Sequence, residues 1–306
     1  MTGAGESLSL RRGDFLIDWG RLLIRLFRSL PAAVLAATWF GTPAFAQTPV
    51  ERGAYLVNAV MACDGCHTPR GPAGLDMSRR FSGGSQIFAE PQFTVRGSNI
   101  TPDRDTGIGA WSDADIRKLM TEGMRPNGVP VAQMPYSFYK IMTPGDLDAV
   151  VAYTKTVAPV RNEVQPPNYK SAFRQETIPG ADKPIGNDVP ADPVKRGFYL
   201  ATLAHCMECH ARKPEGGQDY VGWLGRGGHE MKGPFGAVKV SNITSHREKG
   251  IGAWSDDDIK KALTQGVGRD GRSFKAPMAR QVYFSKLTAQ DLDAMVAWLR
   301  TIPPAE

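Results

Sequence analysis

"CDGCH" (Cys63–His67) and "CMECH" (Cys206–His210) use all four cysteines of the 306-residue chain, each pair in the pattern C-x-x-C-H. The motifs lie 143 residues apart, and the sequence around them repeats in the same order. "ERGAYL" (Glu51–Leu56) returns as "KRGFYL" (Lys195–Leu200), and "SNITPDRDTGIGAWSDADI" (Ser98–Ile116) returns as "SNITSHREKGIGAWSDDDI" (Ser241–Ile259). "PGDLDAVVAYTKTV" (Pro144–Val157) returns as "AQDLDAMVAWLRTI" (Ala289–Ile302). The offset drifts only between 143 and 145, so the copies differ in loop length by single residues. One domain therefore spans residues 47–160 and its copy residues 190–306. Residues 161–189 join them, and their proline density favours an extended connector over a third core.

C-x-x-C-H is the spacing by which two thiols add across the vinyl groups of a haem and carry the next histidine beneath the iron. Cys63, Cys66 and His67 would hold one haem, and Cys206, Cys209 and His210 a second, leaving no cysteine for a disulfide. A zinc ribbon places its two pairs some 15–20 residues apart in one small fold, and a thioredoxin-like pair has no use for the histidine. The sixth iron ligand decides between electron transfer and ligand chemistry. Met134 in "VAQMPYSFY" and Met278 in "FKAPMARQVYF" lie far along each copy, where the chain returns over the other haem face. Met124, Met231, His229 and His246 are the competing ligands. His205, beside Cys206, reads as a packing or solvent-facing residue.

The patterning is helical. Ser112 with Asp115, and Ser255 with Asp258, cap a helix in each copy, and Gly123 and Gly266 stop it. Thr143 and Thr288 open closing helices with apolar residues at helical spacing, while strand-like alternation is nearly absent. Residues 1–46 run from five arginines through an apolar stretch, Leu30–Phe40, to Ala44-Phe45-Ala46. That is the order of a cleaved secretory signal directing the chain to the periplasm, with an uncleaved membrane anchor as the alternative. Removing those residues takes the net charge from +6 to +4, a balance that argues against nucleic acid as a partner.

The ensemble "RGAYL…CDGCHTPRG…FSGG…SNITPDRDTGIGAWSDADIRKLMTEG…MPY…DLDAVVAY" resembles the bacterial c-type cytochromes, in particular the cytochrome subunits of membrane-associated alcohol, aldehyde and gluconate dehydrogenases. The resemblance implies an all-α fold of two tandem class I cytochrome c domains, each a few helices and long loops around a covalent haem c. It implies that Gly53 and Gly197 let the first helix of each domain cross the last against Tyr153 and Trp298. Trp111 and Trp254 would line the haem edges. It further implies an electron-transfer protein, not an enzyme, taking electrons from a dehydrogenase catalytic subunit. The acceptor would be the quinone pool, an oxidase or another cytochrome, and peripheral membrane association is compatible with that role. The alternative function is a dihaem enzyme such as a peroxidase or a thiosulfate dehydrogenase. The rewritten loop raises a separate question: Asp103, Arg104 and Asp105 sum to −1, whereas Arg247, Glu248 and Lys249 sum to +1. Either the loop has drifted, or the two haem edges meet partners of different charge.

Overall fold

Thr48 and Asp192 each start a helix by accepting the backbone N–H three residues on, at Glu51 and Lys195, with a proline in the first turn. In the computed structural model, which describes residues 47–72, 74–172, 175–233 and 236–306, these helices are α1 (Pro49–Tyr55) and α6 (Pro193–Leu203). The export segment read over residues 1–46 lies outside the described residues. A π-helical turn, Leu56–Val60, extends α1. The attachment motifs follow on short helices, α2 (Asp64–His67) and α7 (Cys206–His210). In the first half come two small hairpins, β1 (Arg70–Gly71) with β2 (Gly74–Leu75) and β3 (Ile87–Glu90) with β4 (Phe93–Arg96). The second half has one, β6 (Glu230–Gly233) with β7 (Gly236–Lys239). Three helices complete each half: α3 (Asp113–Glu122), α4 (Tyr136–Tyr139) and α5 (Pro144–Thr154), then α8 (Asp256–Gln265), α9 (Gln281–Phe284) and α10 (Ala289–Thr301).

The expected caps are present. Ser112 and Ser255 form reciprocal boxes with Asp115 and Asp258, and Gly123 and Gly266 end their helices at φ 69° and 67°. The strictly all-α expectation needs correcting, because hairpins stand between each attachment motif and the "SNIT" stretch. β3 and β4 pair from Ile87↔Arg96 to Glu90↔Phe93 around a two-residue turn. Only four residues of β4 alternate, with Phe93 and Val95 buried, too short a run for the period-two signal to stand out.

The connector is strapped down. Its β5 (Asn168–Tyr169) adds to β4 through Phe93↔Tyr169, and the Gln175 amide donates to the carbonyls of Ala132 and Met134. Ile178 and Ala181 are buried in the main core, and Ile185 N–H donates to Ile141 at 3.0 Å.

Within each half the first and last helices cross at a glycine. A Cβ on Gly53 would sit 1.9 Å from the Ala149 carbonyl oxygen and 2.7 Å from Tyr153 Cβ. On Gly197 it would meet Ala294 and Trp298 at the same distances. These crossings carry an ion pair in each half, and a tyrosine from the opposite half joins each carboxylate. Arg52 grips Asp146 with two hydrogen bonds of 2.8 Å, and Tyr199 of the other half donates to the same carboxylate at 2.6 Å. Reciprocally, Arg196 pairs with Asp291 at 2.5 Å and Tyr55 of the first half donates to it at 2.5 Å. Burial, followed by the bond to Asp291, pushes the Tyr55 hydroxyl up to about 12, so it remains a donor at neutral pH. One apolar core runs through both halves, including Leu56 and Val60 with Leu200 and Leu203, and residues 47–306 form one compact unit.

Asp146→Ala would strand Arg52 and Tyr199 at once. Breaking a buried pair in this way costs about 3 kcal/mol, so the denaturant midpoint should fall by that equivalent; an unchanged midpoint would show that the clasp adds nothing.

Candidate functional site

Both attachment motifs open into one continuous cavity of about 2990 Å³. His67, Met134, His210 and Met278 all line it, as do the four cysteines and both Trp111 and Trp254. Much of its wall is apolar, for example Ile100, Ile108 and Leu119 in the first half and Ile243, Ile251 and Leu263 in the second.

The two histidines are held alike. Nδ1 of His67 is 2.7 Å from the Ser98 carbonyl oxygen, and Nδ1 of His210 is 2.9 Å from that of Ser241. A carbonyl only accepts, so the proton sits on Nδ1 and each Nε2 keeps its lone pair for a metal. Burial pushes the His210 imidazole down to about 4 and lowers His67 as well, so both rings are neutral. Ser98 and Ser241 open the repeated "SNIT", whose asparagine fixes the carbonyl's place. Asn99 Oδ1 accepts from the N–H and hydroxyl of Thr101, and its amide donates to Val160 beyond the last helix at 2.8 Å. Asn242 repeats this with Thr244 and Ala305. The literal repetition of Ser-Asn-Ile-Thr was the available signal; nothing local connects it to a histidine 31 residues earlier.

Each attachment helix is entered through a strained residue. Ala62 and His205, both immediately before the first cysteine, have φ of 55° and 45°. A non-glycine residue there costs about 1–2 kcal/mol. The same strain at the same place in both halves marks a geometry that the motif requires.

Burial, with help from the Asp64 carboxylate, pushes the Cys63 thiol up to about 12, and burial followed by Glu208 does the same for Cys209. Among the described residues no three His, Cys, Asp or Glu side chains converge on a metal position.

"QMPY" and "PMAR" differ in sequence yet make the same turn: Tyr136 N–H donates to Met134 at 2.8 Å and Arg280 N–H donates to Met278 at 2.7 Å. That equivalence favours Met134 and Met278 over the other candidates. His246 is spent on its own loop, where Nδ1 accepts from Glu248 and Lys249. Met124 pairs by backbone with Pro130 and is not part of the cavity wall. His229 is buried at 7 % exposure and lines the cavity, with its Nδ1 unpaired, but Ser85 stands at its position in the first half.

The rewritten loop keeps its backbone. Asp103 and His246 each accept, through the carbonyl, from two following glycines, Gly107 and Gly109 or Gly250 and Gly252. Asp103 Oδ1 closes the turn by taking the N–H and hydroxyl of Thr106 at 2.7 Å, the task that His246 Nδ1 performs in the second half. Asp105 is paired with Arg161. Both carboxylates of the first loop are therefore engaged.

Asn99→Ala should destabilise the first half by about 1–3 kcal/mol, because the buried N–H of Thr101 loses its partner and the Val160 carbonyl keeps only the longer bond from the Thr101 hydroxyl. It should also reduce haem incorporation at Cys63 and Cys66 relative to Cys206 and Cys209, read by mass spectrometry of tryptic peptides. Equal incorporation in both halves would show that the Ser98 carbonyl needs no such anchor.

The cytochrome c family profile matches residues 194–303. The chain is 30% identical to the fructose dehydrogenase cytochrome subunit of Gluconobacter japonicus, over 86% of this chain and 54% of that protein. It is 29% identical to the gluconate 2-dehydrogenase cytochrome c subunit of Pantoea cypripedii, over 90% and 65%. It therefore spans about half to two thirds of the length of these dehydrogenase subunits. The match to a dihaem c-type cytochrome of Cereibacter sphaeroides is 30% over 80% of this chain and 83% of that one. With the repeated motif and the repeated histidine geometry, these similarities establish that the chain belongs to the c-type cytochromes, the family of covalently bound haem c, and that its relatives include cytochrome subunits of fructose, gluconate and alcohol dehydrogenases.

Proposed function

We propose that the chain is a periplasmic dihaem cytochrome c that takes electrons from a dehydrogenase catalytic subunit and passes them toward the respiratory chain. The observation that carries this reading is the duplication of one complete donor set. Each half supplies two protonated thiols, a neutral imidazole with a free Nε2 and a methionine in a matched turn, around an apolar cavity. That set fits a covalently held haem. Cys63, Cys66, His67 and Met134 would hold one, and Cys206, Cys209, His210 and Met278 the other.

Haem, when bound, supplies a one-electron iron couple. The chain's own residues do the rest. Ser98 and Ser241 orient the imidazoles, and their carbonyls raise ligand basicity by drawing on the Nδ1 proton. Isoleucine, leucine and tryptophan walls exclude water, which limits the reorganisation that accompanies a change of charge. Met134 and Met278, as ligands to the two irons, would leave no position open to substrate and would favour a raised potential. This favours electron transfer over the peroxidase and thiosulfate dehydrogenase alternatives, and the dehydrogenase partner follows from the relatives' roles. Among the described residues no helix is long and apolar enough to cross a membrane, so any membrane attachment of the described part would be peripheral. The acceptor would be a quinone, an oxidase or another cytochrome.

Pyridine haemochrome analysis of the native protein should count two haems per chain, and one or none would defeat the proposal. In Met134→His both haems should remain while one midpoint potential falls and the sulfur-to-iron charge-transfer band weakens by about half, since one of two methionine ligands is lost. An unchanged spectrum would remove Met134 from the ligand set.

A further inference from the structure

One charged row lies where the halves meet, and it has no counterpart in the first half. Arg280 donates through Nη1 to the Ala204 carbonyl at 3.0 Å and through Nη2 to Nε2 of His205 at 3.2 Å. A guanidinium has only donors, so Nε2 is unprotonated and the ring hydrogen is on Nδ1, 3.0 Å from Glu208 Oε2. Burial and the neighbouring guanidinium push His205 below its ordinary range, in keeping with a neutral ring. His205 thus stands between cation and anion, and among the described residues Arg280 makes no direct carboxylate contact.

First-half residues complete the surroundings. Gln133 donates to Glu208 Oε1 at 3.4 Å, and the Phe138 ring stands edge-on to His205 with centroids 6.5 Å apart. Arg280 and Glu208 line the cavity together with Cys66, Cys206 and Cys209, so the row borders both attachment motifs. The positions equivalent to His205, Glu208 and Arg280 in the first half are Ala62, Gly65 and Tyr136. The first half does have an ion pair beside Cys63, but it is closed: Arg80 contacts Asp64 through Nε at 2.8 Å and Nη2 at 2.6 Å. Two charges in contact cancel at short range, whereas charges held apart by a neutral ring do not.

On the dihaem reading, we propose that Arg280 makes the two haems unequal: its guanidinium, anchored on Ala204 and His205 and two residues from Met278, raises the potential of the second-half haem above that of the first. A fixed positive charge in a water-poor site favours the reduced iron, which carries one positive charge fewer. Electrons inside the chain then settle on the second half, which gives the duplicated core a direction that its symmetry lacks.

Spectroelectrochemical titration of the full haem-loaded protein tests this, with the first-half wave identified by its displacement in Met134→His. Arg280→Gln should lower the second-half midpoint more than the first and narrow the gap between them, while Arg280→Lys should restore most of the gap. Glu208→Gln should move the second-half midpoint upward. An Arg280→Gln protein that carries two haems, with both midpoints unchanged or lowered equally, overturns the proposal. Should Arg280→Gln fail to load, an unmoved second-half midpoint in Glu208→Gln overturns it instead. A wild-type count below two haems is a different failure, that of the dihaem reading itself.

Discussion

Asp146 and Asp291 each receive an arginine from their own half and a tyrosine from the other. A buried carboxylate with one partner is a poor source of stability, since desolvation cancels most of the attraction. Here each carboxylate is shared, so neither half can satisfy its own aspartate as fully alone as it does in the pair. The glycine crossings make the sharing possible. With Gly53 and Gly197 flat against Ala149 and Ala294, the arginine of the first helix reaches the aspartate of the last, and the pair is presented to the opposite tyrosine. The attachment helices follow directly from α1 and α6, so the clasp also fixes where the thiols face.

The cavity between them is therefore a property of the pair. A domain of about 115 residues with long Gly- and Pro-rich loops buries too little apolar surface to be secure without a central group. Two such repeats that share a core, a strap and a cavity within one compact unit offset that weakness. The connector contributes by laying Ile178 and Ala181 into the core and holding the Met134 carbonyl through Gln175.

What was legible in the sequence was local or repeated. The caps at Ser112 and Ser255, the stops at Gly123 and Gly266, and the glycines of the crossing all act within a few residues or within a motif written twice. The attachment residues were legible for the same reason, because thioether chemistry fixes a short spacing. Tyr55 with Asp291, 236 residues apart, left no such trace. Nor did the Arg280–His205–Glu208 row, which is assembled from two elements and matters only because the halves meet there. The hairpins were missed because four residues of alternation are too few to be distinguished from loop. PDRDT and SHREK differ in formal charge, yet Asp103 and His246 close one and the same turn. The contrast between the halves lies instead at the junction, in residues that look unremarkable one at a time.

The shared cavity is tested most directly by removing one haem and measuring the other. On the dihaem reading proposed above, Cys206→Ala/Cys209→Ala prevents covalent attachment of the second-half haem, and the first-half midpoint potential is then read by spectroelectrochemistry against wild type. A cavity bordered by both motifs predicts that the first-half midpoint shifts, because its surroundings lose a neighbouring iron and gain water. A first-half midpoint identical to that of the wild type would contradict the shared cavity and leave two independent cytochrome domains on one chain.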